Sequence, residues 1–142
     1  MAERAFNILL VEDDDVAAEA VVRGVRRNGQ DWKVVVAEDG LEALDVLRGQ
    51  HPSKRIARPY MVVVDLNMPR MNGLELIEAL RADDELRRSV VFVLTTSSSE
   101  TDQRRARELG IVGYMVKSGA GPRHAHFVDQ IRNFRHAAFP PD

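Results

Sequence analysis

Asp65 closes the apolar run Val62-Val63-Val64 and precedes Leu66-Asn67-Met68-Pro69, so a single carboxylate stands where a strand gives way to a loop. Ile8-Leu9-Leu10-Val11 runs into Glu12-Asp13-Asp14-Asp15 in the same manner. If these two strands lie side by side and parallel, their ends gather several carboxylates within a few ångströms. Like charges that close raise one another's pKa and cost free energy unless a cation offsets them. The tenant such a cluster calls for is a hard divalent ion with oxygen ligands, magnesium first among them. Two more strand ends contribute Thr95 and Lys117. A nucleophilic carboxylate, an acidic pair for a metal, a hydroxyl and a lysine are the parts needed to move a phosphoryl group onto Asp65. The cation and Lys117 would offset charge on the phosphoryl oxygens, and Thr95 would donate a hydrogen bond to one of them.

Something must hold those ends together. Four short runs, nearly all apolar and rich in β-branched residues, read as buried parallel strands: 7–11, 60–64, 90–94 and 112–116. A fifth, 33–37, has polar flanks and suits an edge. Helical patterns fill the gaps. Asp14 or Asp15 can cap a helix that turns Ala17, Val21, Gly24 and Val25 to one side and stops at Asn28-Gly29. Asp39-Gly40 leads into Leu41, Leu44 and Leu47. Gly73 opens a helix with Leu74, Ile77 and Leu80. A nearly all-polar helix from about Thr101 to Leu109 offers only Ala106 and Leu109 inward, and the last helix sets Phe127, Ile131 and Phe134 at helical spacing. Strand then helix, five times over, predicts an α/β fold with an open parallel sheet covered on both faces. In such sheets ligands bind beyond the carboxyl ends of the strands, where the acids fall. The polar segment 50–59 reads as a surface connection.

The chain of 142 residues has the size of one domain, with a core from about 6 to 135 and a tail from 136 to 142. Its net charge of -2, from 20 basic and 22 acidic side chains, argues against general affinity for nucleic acid or anionic membrane. The absence of cysteine excludes disulfides and thiolate metal sites. No apolar stretch approaches the about 20 residues needed to span a bilayer, and Met1-Ala2-Glu3-Arg4 lacks a signal core, so a cytoplasmic protein is expected.

Leu10-Val11-Glu12-Asp13-Asp14, Val64-Asp65-Leu66-Asn67-Met68-Pro69 with Met71-Asn72-Gly73, Val93-Leu94-Thr95-Thr96-Ser97 and Gly113-Tyr114-Met115-Val116-Lys117 together resemble the receiver domain of two-component response regulators. The resemblance runs from Ile8 to about Arg135. It implies a flavodoxin-like sheet in the order 2-1-3-4-5, with Asp65 as phosphoacceptor. Glu12, Asp13, Asp65 and the backbone carbonyl of Asn67 would hold magnesium, and Thr95 and Lys117 would contact the phosphoryl group. Tyr114 stands where receivers carry an aromatic that turns inward when Thr95 moves, and Asn67 and Ser97 occupy positions that tune hydrolysis. The implied partner is a sensor histidine kinase, and the implied output surface is the fourth helix, fifth strand and fifth helix. The proline-containing loop before the third strand, Leu94-Thr95-Thr96-Ser97 and the aromatic tail are similar to small receivers that serve bacterial phytochrome kinases. Those often pair through the last helix and tail, which makes Phe134 and Phe139 candidates for a homodimer contact.

In the family a proline usually follows the lysine, whereas here Lys117 leads into Ser118-Gly119-Ala120-Gly121-Pro122. The isomer of the Lys117-Ser118 bond is left open, and the loop before the last helix is expected to be looser than usual. Thr96 competes with Thr95, but Thr95 lies 22 positions before Lys117, the family spacing. Asp14 and Asp15 read as caps, and His51, His124, His126 and His136 as surface residues without partners at metal spacing. A haloacid-dehalogenase-like magnesium phosphatase would use Asp13 of Asp13-Asp14-Asp15-Val16-Ala17, but Ala17 replaces the threonine of that signature. A flavodoxin would need phosphate donors where Glu12-Asp13-Asp14-Asp15 would repel. An unphosphorylated adaptor would leave five filled active positions without a purpose.

Overall fold

The computed structural model describes residues 6–138, with side chains as far as Arg135; Phe139 and the side chain of His136 lie outside the described residues. The strands are β1 (Asn7–Val11), β2 (Lys33–Ala37), β3 (Tyr60–Val64), β4 (Val90–Thr95) and β5 (Gly113–Val116). All pair in parallel, in the order β2-β1-β3-β4-β5. Side chains alternate across the sheet with period two. Ile8, Leu10, Met61, Val63, Phe92 and Leu94 therefore enter one core, and Leu9, Val11, Val62, Val64, Val91 and Val93 the other. The first is closed by α1 (Asp15–Arg27) and α5 (Ala125–Ala138), the second by α2 (Gly40–Leu47), α3 (Gly73–Ala82) and α4 (Glu100–Glu108).

The helix starts follow from side-chain acceptors. Asp14 takes the amides of Val16 (2.9 Å) and Ala17 (3.2 Å), which leaves Asp15 as the first helical residue. Asp39 takes Glu42 (2.9 Å), and Ser99 takes Asp102 (3.3 Å). Asn72 and Glu75 satisfy each other's backbone in a capping box. At the opposite edge of the sheet Arg81 of α3 donates to the carbonyls of Leu109 (2.7 Å), Arg87 (2.8 Å), Ser89 (2.8 Å) and Gly110 (3.2 Å), tying the ends of α3 and α4 together.

Several expectations are corrected. β4 runs on to Thr95 and β5 starts only at Gly113. Ala18, not Ala17, enters the core with Val21, Gly24 and Val25. In α2 the inward side is Ala43, Leu44 and Val46; Leu41, one helical step from that side, is 44% exposed. In α3 Leu76 is buried and Leu74 only half-buried. His51 is no free surface residue: its Nδ1 accepts from the amides of Ser53 (3.1 Å) and Lys54 (2.9 Å), and its Nε2 faces Glu42 at 3.4 Å. Segment 50–59 is the surface connection expected, and it is tied down, since Lys54 donates to the carbonyl of Val36 (2.7 Å) and to Glu42 (3.0 Å). Lys54 thereby covers an outward-facing carbonyl of the edge strand. His124 is half-buried against Gly24 and Phe127, while His126 is exposed. Among the described residues the one cis peptide bond is Arg58-Pro59, so Lys117-Ser118 is trans. The loop behind it has a defined path. It forms two 3-10 turns, Lys117–Gly119 and Pro122–His124, with Ala120 buried and the Arg123 carbonyl accepting from Asn28 (3.0 Å). No described helix is long and apolar enough to cross a membrane.

Candidate functional site

The parallel ladder brings the ends of β1 and β3 into register, Val11 beside Val64. The next residues are therefore neighbours: Asp65 N–H donates to the Val11 carbonyl (3.0 Å), and Glu12 N–H to that of Ala37 (2.9 Å). Glu12 and Asp65 are buried and Asp13 is exposed. One carboxylate oxygen from each of the three lies within 4.8 Å of the others. Every donor in that set is a hard oxygen, which suits magnesium, calcium or manganese and not a soft metal.

Asp65 is gripped on both oxygens. Oδ1 accepts from the Thr95 hydroxyl (2.8 Å) and from the Asn67 amide (3.1 Å), and Oδ2 accepts from Lys117 Nζ (3.1 Å). Thr95 is wholly buried, and its paired backbone in β4 sets the place from which that side chain projects. Lys117 also donates to Glu12, so one ammonium stands between two buried carboxylates. Burial pushes the Glu12 carboxyl above its ordinary range and the Asp65 charge adds to this, while the Lys117 hydrogen bond opposes it. Burial alone would lower Lys117, but its hydrogen bonds to Glu12 and Asp65, with their charges, outweigh that and raise it. The lysine is firmly charged and acts as the counter-ion of the acid pair.

Behind Thr95 a second set of bonds leads away from the acids. The Ser97 amide donates to Thr95 Oγ1 (3.3 Å), its hydroxyl to Asp102 in the first turn of α4 (2.7 Å), and its carbonyl accepts from the Tyr114 hydroxyl (2.8 Å). Burial pushes the Tyr114 phenol up, and the charges of Asp102 and Asp65 add to it. Thr96 is exposed and accepts from the Asn67 side chain (3.1 Å), away from Asp65. Phe134 turns its ring toward Phe92, 5.9 Å between centroids, and stays half-buried.

The Ser97 bridge to α4 and Tyr114 was not legible in the sequence, where Ser97 stands beside three other small polar residues. A further pair, Arg70 with Asp39, likewise carries no motif: Arg70 Nε reaches Asp39 Oδ2 at 2.7 Å, and Nη2 bonds the same oxygen.

Residues 8–126 match the response regulator receiver domain. The chain is 35% identical over 133 residues to the probable methanogenesis regulatory protein FilR2 of Methanothrix harundinacea (strain 6Ac), covering 94% of this chain and 85% of that one. It is 33% identical over 111 residues to the response regulator Rcp1 of Synechocystis sp. (strain ATCC 27184 / PCC 6803 / Kazusa), covering 78% and 76%. The crystal structure of the Mn2+-bound form of Rcp1 superposes with a TM-score of 0.77 at 29% identity over 96% of both chains. The phosphorylated cyanobacterial phytochrome response regulator RcpA gives a TM-score of 0.77 at 26% identity, also over 96% of each.

Proposed function

We propose, from the premise that this chain belongs to the response regulator receiver domain family, that it takes a phosphoryl group from a phosphohistidine of a sensor histidine kinase onto Asp65. The observation that carries this reading is the Asp65 carboxylate, buried beyond the end of β3 and aimed by Thr95, Asn67 and Lys117 together. In the transfer an Asp65 oxygen forms a bond to phosphorus as the phosphorus–nitrogen bond breaks. The imidazole nitrogen leaves with the electron pair and takes up a proton. The Thr95 hydroxyl and the Lys117 ammonium, spent on Asp65 before the reaction, turn to the phosphoryl oxygens and stabilise their charge. The product is an acyl phosphate, and Asn67 and Ser97, flanking it, tune access of the water that hydrolyses it. The chain thus assists its own phosphorylation while serving as a signalling protein.

Glu12, Asp13, Asp65 and the carbonyl of Asn67 are the residues that would hold magnesium; the hard oxygen set and the likeness to Mn2+-bound Rcp1 support this. A bound divalent ion supplies charge compensation for the phosphoryl oxygens. Once Thr95 commits its hydroxyl to the phosphoryl group, the bonds through Ser97 to Asp102 and Tyr114 rearrange, and α4, β5 and α5 present a changed surface. We read the whole chain as one receiver acting in the cytoplasm, where a donor made from ATP is at hand. We take a bacteriophytochrome as its sensor kinase, a choice supported by the likeness to the phytochrome response regulator RcpA. A homodimer through Phe134 on α5, with Phe139 beyond it, completes the reading.

The test is labelling with radioactive acetyl phosphate and with purified phosphorylated kinase in the presence of Mg2+. Asp65→Asn is expected to take up no label, while Asp13→Asn, which keeps the nucleophile, takes it up slowly. Label on the Asp65→Asn chain at the wild-type rate would overturn the assignment.

A further inference from the structure

The Asn67 carbonyl belongs to a loop, residues 65–72, and a loop atom makes a good ligand only if its loop is held. One end is held by the sheet and α3. The Asn67 amide bonds Asp65 Oδ1 (3.1 Å), Gly73 N–H donates to the Leu66 carbonyl (3.1 Å), and a Cβ on Gly73 would stand 2.4 Å from the Asp65 carbonyl oxygen. The middle of the loop lies between β3 and α3; Met68 packs against the core there, and the polar ties come from α2. There Arg70 adopts φ 62°, a left-handed conformation disfavoured for a residue with a Cβ, and lays its guanidinium over Asp39. Asp39 stands at the start of α2, on another crossing of the chain.

Asp39 is more than a cap. Capping α2 needs only a short acceptor, and asparagine serves as well as aspartate. Yet a full carboxylate is buried here, 5% exposed, under an arginine that is 61% exposed. A buried charge requires a partner, so Asp39 commits Arg70 to this spot. Next to the pair, Gly40 N–H donates to the Met71 carbonyl (3.3 Å), and the Met71 side chain fills the place a Cβ on Gly40 would need, 2.6 Å away. An ion pair, a backbone bond and a packed side chain thus join two adjacent loop residues to the first turn of α2.

We propose that Asp39 and Arg70 are positioning residues for the metal site: they clamp the far side of the 65–72 loop and so set where the Asn67 carbonyl stands beside Glu12, Asp13 and Asp65. The inference rests on the metal assignment made above. Neither residue touches the reacting atoms.

Calorimetric titration of the full chain with Mg2+ alone and with Mn2+ alone, well below the thermal midpoint, tests it. Arg70→Ala is expected to raise the dissociation constant of both ions about ten-fold or more, the scale of losses seen when groups that orient metal ligands are removed. Arg70→Lys should fall between it and wild type, because an ammonium cannot reproduce a grip through Nε and Nη2. Asp39→Asn keeps the cap and loses the charge, so it should match Arg70→Ala, and the double variant should be no worse than either single one. A merely structural role would lower the thermal midpoint and leave the metal constants alone. Constants for Arg70→Ala within about two-fold of a wild type that does bind would overturn this inference by itself. A wild-type chain that binds neither ion would overturn the metal assignment, and this inference with it.

Discussion

α3 and α4 cover the same face of one sheet and are held there by different means. α3 sinks Leu76, Ile77 and Leu80 wholly into the core, closes its first turn with the Asn72–Glu75 capping box, and sends Arg81 to four carbonyls. Of the residues within α4 only Ala106 is buried, with Leu109 half-buried behind it. Burying a leucine or isoleucine side chain contributes about 1.5–3 kcal/mol, and a methyl group a fraction of that. α4 depends more on discrete polar ties: Arg81 of α3 to the Leu109 and Gly110 carbonyls at its end, Ser97 to Asp102, Tyr114 to Ser97, and Arg105 to Glu78 of α3 at 3.3 Å. A neutral hydrogen bond such as that of Tyr114 is worth about 0.5–1.5 kcal/mol net, one to a charged group somewhat more, and an exposed pair such as Arg105–Glu78 less. The helix beside Asp65 is anchored mainly by volume, and the helix beside Thr95 mainly by discrete bonds.

The contrast can be broken most forcefully in the core. Leu80→Ala in α3 is expected to cost about 2–5 kcal/mol in denaturant unfolding, against about 1 kcal/mol for Ala106→Gly in α4; equal losses would remove the distinction. Native-state hydrogen exchange should sharpen it, with amides of α3 exchanging at the global unfolding free energy and those of α4 through openings of lower energy. Tyr114→Phe deletes the bond to the Ser97 carbonyl and is expected to lower the opening energy of α4 by about 0.5–1.5 kcal/mol, while exchange in α3 stays unchanged.

The smallest effect is set by pH and adds α2 to the comparison. Burial opposes ionisation of Asp39 and Glu42, but the Glu42 amide with Arg70 for the first, and Lys54 with the Glu38 amide for the second, hold both carboxyls below their ordinary range. A folded pKa below the unfolded one gives stability that is complete at neutral pH and is lost as pH falls through the carboxylate range. Protection of α2 amides should therefore decline on acidification, and Glu42→Gln should flatten that decline. A slope that Glu42→Gln leaves intact would place the acid sensitivity elsewhere.

Much of this fold was legible residue by residue. Short, nearly all-apolar runs rich in β-branched residues marked every strand to within a residue, because strands buried on both faces read as continuous apolar stretches. The misreadings fell where the local signal is ambiguous. Leu41 looked inward by composition, yet its angular place on α2 exposes it; Ala18 took the place expected of Ala17 by one helical step. His51 looked like free surface because nothing in its own sequence announces Glu42 as a partner, whereas segment 50–59 is the surface connection expected, with Lys54 tying it to the Val36 carbonyl.

By itself the sequence determined the order of elements, the parallel sheet they imply, and the chemical types left at its carboxyl edge: acids after β1 and β3, a threonine closing β4, a lysine after β5. These follow from short-range periodicity and from which side chains a strand end can carry. Only the tertiary structure decided that Lys117 stands between Glu12 and Asp65, that Ser97 links Tyr114 to α4, and that Arg70 lies over Asp39. Those pairings join residues on separate crossings of the chain. They depend on the approach of loops, on rotamers and on the need to neutralise buried charge, none of which has a period that a sequence could display.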